Sequence, residues 1–215
     1  LKAEFELALE TFVEGAVLED YRGMLPMLRY HLGWEGEGAG LEAQGKRIRP
    51  MLVLLCCLAG GGSEKAALPA ALAVELVHNF SLVHDDIQDN SPLRRGRPTL
   101  WVKWGAAQAI NAGDLLFNLA YSAVVQAGKP HAAELTLQAV QILAETCTRL
   151  TGGQYLDLSY EKEPELTLAA YWPMIAGKTA ALLSCCAELG ALYAGKGDDA
   201  ATEPYRKLYE LECDL

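Results

Sequence analysis

The sequence predicts an all-α protein, with residues 1–215 forming a single-domain helical bundle. Three observations predict it. Apolar residues recur at helical spacing almost throughout. One long segment, residues 66–90, is apolar nearly all round, through Ala67, Ala70, Ala71, Ala73, Val74, Leu76, Val77, Phe80 and Val83. A helix of that kind belongs at the centre of a bundle, and its alanines allow close helix approach. No run alternates apolar and polar residues as a half-buried strand would, and there is no internal repeat or low-complexity tract.

The elements follow in order. Residues 2–20 are rich in Glu, Ala and Leu at helical spacing, and residues 21–33 read as a second helix that Gly33 ends. The glycine-rich "WEGEGAGLEAQG" is a loop. Pro50 suits the first turn of a helix running to Leu58, and "GGGS", Gly60 to Ser63, breaks the chain again. After the central helix, further helices are expected at 104–127, 131–151, 168–176 and 178–194.

Composition narrows the function. Hydrophobic residues make up 51% of the chain, which argues against disorder, and the net charge is −10, which argues against nucleic-acid binding. Six cysteines, Cys56, Cys57, Cys147, Cys185, Cys186 and Cys213, form no CxxC and read as small buried hydrophobes in a reducing cytoplasm. No signal peptide is expected, nor an uninterrupted apolar run long enough to span a membrane.

Chemistry concentrates in "VHDDIQDNSPLRRGRP", Val83 to Pro98. Asp85 and Asp89 are four apart, which on a helix sets both carboxylates on one face, with Asp86 about 100° round from Asp85. Crowded carboxylates need a cation or water between them. Oxygen-only ligands suit Mg²⁺, which completes its shell with water and substrate phosphate. Arg94, Arg95 and Arg97 just beyond suggest an anion. "GKRIRP", Gly45 to Pro50, clusters Lys46, Arg47 and Arg49 where a loop enters a helix, a second candidate phosphate cradle. "GKTAALL" places Lys178 and Thr179 at a helix junction, and "GGQYLDL" places Gln154 and Asp157 near the end of a helix. His78 is seven before Asp85 and shares nearly the same face. Asp114 reads as a helix-start residue, and His84 has no assigned role.

Together, in this order, the segments resemble the trans-isoprenyl diphosphate synthases, or polyprenyl synthetases, over about Gly45 to Gly195. The resemblance implies an isoprenoid-synthase-type bundle around a central apolar pocket, usually homodimeric, that joins an allylic diphosphate to isopentenyl diphosphate and releases pyrophosphate. It implies that Asp85 and Asp89, with Asp86 close by, are the first aspartate-rich motif, with Asp85 and Asp89 holding Mg²⁺. Arg94 would contact the allylic diphosphate. Lys46, Arg49, His78 and Arg95 would form the isopentenyl diphosphate pocket. Lys178, Thr179 and Gln154 would line the allylic side, with Lys178 counted among the catalytic groups.

The family's second aspartate-rich motif is expected after "GKTA", but "KGDDAATEPYRKLYELECDL" does not offer it on an apolar helix. Asp198 and Asp199 lie in a polar stretch and Asp214 is isolated. Two alternative functions stand beside it: a class I terpene cyclase, which shares the aspartate and Mg²⁺ chemistry, and a non-catalytic regulatory subunit that pairs with an active synthase. A cyclase handles one diphosphate and needs no second cradle. Product length is expected to be set about one turn upstream of Asp85, by Phe80 as the bulky floor with the small Ser81 beside it. One aromatic there, with no insertion in "DDIQD", points by resemblance to geranylgeranyl diphosphate, with farnesyl diphosphate the close second.

Overall fold

A computed structural model describes residues 1–127, 133–161, 163 and 165–196. It is all-α, as expected, apart from one two-stranded ladder. The chain divides into two compact units, each built from two stretches of sequence. One comprises Leu1–Ile48 with Glu75–Ala123, the other Arg49–Val74 with Val124 onward.

In the first unit, α1 (Lys2–Ala16) buries Phe5, Leu9 and Val13, one stripe at four-residue spacing. It is shorter than expected: Val17 is extended and buried, and a 3₁₀ turn (Glu19–Met24) leads into α2 (Leu25–His31). The glycine-rich loop follows and ends in the short α3 (Leu41–Gln44). Arg97 organises that loop. Its guanidinium lies 4.0 Å over the Tyr30 ring and donates to the carbonyls of Tyr30, Glu35 and Glu37 at 2.9, 2.6 and 2.9 Å. Gly36 has φ +89°, and a Cβ there would stand 2.7 Å from the Tyr30 ring.

α5 (Glu64–Gln88) is the expected central helix, and its residues from Glu75 belong to this unit. Its end is a Schellman motif: Ser91 N–H donates to the Asp86 carbonyl at 2.9 Å and Asn90 N–H to that of Ile87 at 3.2 Å, with Asn90 at φ 52°. The chain then forms a hairpin, β1 (Leu93–Arg94) against β2 (Arg97–Pro98), with Arg94 opposite Arg97. Arg95 and Gly96 both take positive φ, 52° and 74°, as a two-residue type I′ hairpin requires. α6 (Leu100–Trp104) and α7 (Ala106–Ala127) follow, the latter in this unit to Ala123.

The second unit holds α4 (Ile48–Ala59) from Arg49, the first half of α5, α8 (Ala133–Tyr160), α9 (Leu168–Ile175) and α10 (Ala181–Ala191). Two expectations are corrected here. α8 runs on to Tyr160 rather than ending near 151, so Gln154 and Asp157 sit well inside a helix. α9 and α10 form a continuous rod joined by a π turn, Ala176–Ala180, instead of two helices meeting at a break. Glycines let these elements approach: a Cβ on Gly190 would lie 2.6 Å from the Val53 carbonyl oxygen of α4.

By length and composition, α5 and the rod Leu168–Gly195 could each cross a membrane, which the sequence reading did not anticipate. Their most apolar windows are 61% and 72% buried within the protein, as in core helices. Asp198, Asp199, Cys213 and Asp214 lie outside the described residues.

Candidate active site

The Schellman turn and the hairpin together bring the arginines back to the aspartates. Arg94 Nε–H donates to both Asp86 carboxylate oxygens at 2.9 Å, and Nη2 lies 2.8 Å from Oδ1. Asp86 is buried; Asp85 is half-buried and Asp89 exposed. Burial raises the Asp86 carboxyl above the usual range, and the Arg94 hydrogen bonds and charge oppose that rise. The three aspartates therefore do different work. Asp86 fixes Arg94, while Asp85 and Asp89 carry carboxylates on the outer part of the helix end. Arg94 spends its Nε edge on Asp86, and its other guanidinium edge remains available to a ligand.

Asp86, Arg94 and Arg95 line one shallow cleft with Tyr30, His31 and Thr99. Arg95 donates to the Ala43 carbonyl at 2.7 Å, and its guanidinium carbon would stand 2.7 Å from any Cβ on Gly45, whose φ is +81°. The glycine of "GKRIRP" thus makes room for an arginine of "RRGRP". Desolvation and the positive charges of Arg47 and Arg94 lower the Arg95 pKa. His31, which the sequence reading passed over, presents a buried Nε2 with no hydrogen-bond partner. Burial, then Arg94 and Arg95, lower its pKa to about 3, so the ring stays neutral among the guanidinium groups.

Two of the expected anion-binding cations are structural. Arg47 is buried with φ 55°; it contacts Glu75 at 2.6 Å and Glu6 at 2.7 Å, and donates to the Leu32 carbonyl at 3.0 Å. Arg97 is spent on the loop carbonyls. Each was read as one member of a basic cluster, but a buried guanidinium is held by several acceptors at once. In the first unit, Lys46 is exposed, His78 is half-buried, and Ser81 donates its hydroxyl to the His78 carbonyl at 2.8 Å. Phe80 packs against Phe117 of α7. Asp114 is a mid-helix residue of α7, not a helix start, and its carboxylate lies 3.5 Å from His84 Nε2.

In the second unit, Arg49 opens α4 half-buried. Lys178 ion-pairs with Asp157, both about one-third exposed or less. Two glycines create that pair. A Cβ on Gly153 would lie 2.1 Å from the Lys178 backbone nitrogen, and one on Gly177 would lie 2.7 Å from the Arg149 carbonyl oxygen. Only bare backbone lets α8 and the π turn come this close. Gln154 is half-buried and Thr179 is exposed.

The match to known proteins is extensive. The polyprenyl synthetase family model matches residues 39–211. The chain belongs to the polyprenyl synthetase family. A (2E,6E)-farnesyl diphosphate synthase of Mycobacterium tuberculosis is 42% identical over 174 residues, 80% of this chain and 47% of that protein. A geranylgeranyl diphosphate synthase of Methanosarcina mazei is 39% identical over 178 residues, 83% of this chain and 54% of that protein. Among solved structures, the Streptomyces coelicolor polyprenyl synthetase aligns with TM-score 0.84 and 33% identity, over 96% of this chain and 59% of that one. This polyprenyl synthetase chain therefore spans about half the length of the curated relatives it matches.

Proposed function

We propose that the protein is a Mg²⁺-dependent short-chain prenyltransferase, acting as a cytoplasmic homodimer, that condenses an allylic diphosphate with isopentenyl diphosphate. The observation that carries this reading is the division of labour in "DDIQD". The buried Asp86 fixes Arg94, and the more accessible Asp85 and Asp89 stand beside it. The names of similar proteins, farnesyl and geranylgeranyl diphosphate synthases, support the substrate class.

The residues fit Mg²⁺. Among the described residues no group of three or more His, Cys, Asp or Glu side chains forms a closed metal cage. Asp85 and Asp89 offer hard oxygen donors alone, which suits an ion that keeps water and takes substrate phosphate. They would hold the metal, which when bound supplies positive charge to the leaving pyrophosphate.

Arg94, anchored by Asp86, orients the allylic diphosphate and stabilises the charge that grows on it as the C–O bond breaks. The electron pair of that bond leaves with pyrophosphate. The double bond of isopentenyl diphosphate, held by Lys46, Arg49, His78 and Arg95, attacks the allylic carbon. Loss of a proton to pyrophosphate restores a double bond. Lys178, Thr179 and Gln154 serve the allylic side. The apolar residues of α5 upstream of Asp85 exclude water from the cation.

Phe80, five residues before Asp85 and about 7.5 Å along the helix, floors the pocket and sets geranylgeranyl diphosphate as the preferred product over farnesyl diphosphate. The test is incubation with Mg²⁺, radiolabelled isopentenyl diphosphate and a series of allylic diphosphates. Condensation to the twenty-carbon product is expected. Cyclised hydrocarbon from one diphosphate, or no turnover without a second protein, would overturn the reading.

A further inference from the structure

The Phe80 ring is in contact with two other aromatic rings. The His84 ring meets it at 4.7 Å and 64°, and Phe117 of α7 meets it at 4.8 Å and 48°. Phe117 is backed in turn by Tyr121 at 5.2 Å and 72°. Such edge-to-face and tilted contacts favour one ring orientation over others. His84 is itself held in place. Its Nε2 lies 3.5 Å from both the Ile110 carbonyl oxygen and the Asp114 carboxylate, and its ring lies over Gly113, where a Cβ would come within 2.4 Å. α7 therefore reaches Phe80 twice, through Phe117 directly and through His84 indirectly.

We propose that Phe117 is a positioning residue for product length: it holds the Phe80 ring across the pocket floor, with His84 as the ring's second aromatic neighbour. This rests on the reading of Phe80 as the floor. A floor made by one aromatic on a helix is only as firm as that side chain's rotamer. With Phe117 gone, one side of the ring loses its neighbour. The ring can then turn aside and admit a longer chain without any change at Phe80 itself.

The test is the product distribution of Phe117→Ala, Phe117→Tyr, Phe80→Ala and the double variant. It is measured with Mg²⁺, isopentenyl diphosphate and an allylic diphosphate, by chromatography of the dephosphorylated alcohols. A ratio of products does not depend on the fraction of protein folded, and Phe117→Leu substitutes if the alanine variant yields no product. Phe117→Ala or Phe117→Leu should raise the ratio of longer to wild-type product about threefold to tenfold, the scale of one aromatic contact. Phe117→Tyr should keep the wild-type distribution, and KM values should stay unchanged. The double variant should match Phe80→Ala alone, because Phe117 acts only through Phe80. If Phe80→Ala lengthens products and the Phe117 variants do not, the positioning role is wrong and the floor stands. A double variant longer than either single would show Phe117 touching the chain directly, which also overturns the proposal. If Phe80→Ala leaves the distribution unchanged, the floor assignment itself fails.

Discussion

The two units place their charged side chains by opposite means. In the first, irregular backbone does it: a Schellman turn at Asn90, a hairpin with Arg95 at positive φ, and Arg47 at positive φ, each secured by a guanidinium on carboxylates or carbonyls. In the second, close approach of helical backbones does it. Lys178 reaches Asp157 because Gly153 and Gly177 let two helical backbones touch. The first arrangement fails when an ion pair is broken, and the second when a methyl group is added.

That contrast predicts where substitutions hurt, and the largest effect is expected at Arg47. Arg47→Met leaves Glu75 buried without its cation and should cost about 3–5 kcal/mol of unfolding free energy by urea titration. The neighbouring Lys46→Ala should change stability by less than about 0.5 kcal/mol. Equal losses at both would erase the distinction between structural and ligand-facing cations. Next, Gly153→Ala should destabilise by about 3 kcal/mol, the upper end for overpacking, because its Cβ meets backbone at 2.1 Å. Gly152→Ala, with nothing within 4 Å, serves as the control. Asp85→Ala should lower turnover by roughly 10²-fold while leaving the melting temperature nearly unchanged. A stability loss without a rate loss would make Asp85 a structural residue like Asp86.

The smallest effect expected is in pH dependence. The folded pKa of His31 is near 3 against 6.5 for a free histidine side chain, so between those values the unfolded chain binds the extra proton. The His31 contribution is complete above about pH 6.5 and is lost as pH falls toward 3. From pH 7.5 to 5, wild type should lose about 1–2 kcal/mol more than His31→Gln, measured by urea unfolding at each pH. Parallel losses would place the titrating group elsewhere.

Much of this was legible in the sequence. The all-round apolarity of residues 66–90 marked the central helix, and the "DDIQD" spacing marked its chemical end. What was not legible has common physical causes. Charge alone does not say whether a cation faces inward, so Arg47 and Arg97 looked like Lys46 and Arg94. Their acceptors, Glu6, Glu75, the Tyr30 carbonyl of α2 and two loop carbonyls, are distant in sequence. Gly152 and Gly153 looked like the end of a helix, because a glycine that admits a neighbouring backbone has the same local signal as one that ends a helix. His31 sits beside Leu32 and Gly33 with no motif around it; only the fold brings Arg94 and Arg95 to it.

The interleaving of the two units has a consequence during synthesis. The stretch Arg49–Val74 leaves the ribosome before Glu75–Ala123, yet the rest of its own unit begins only at Val124. Leu1–Ile48 and Glu75–Ala123 have emerged together while the apolar α4, carrying Val53, Leu54 and Cys57, still waits for α10. Transiently exposed apolar surface of that kind is what makes a nascent chain aggregate. Translation speed across the codons from Val124 through α10, and chaperone access during that interval, therefore bear on yield as directly as any contact in the finished molecule.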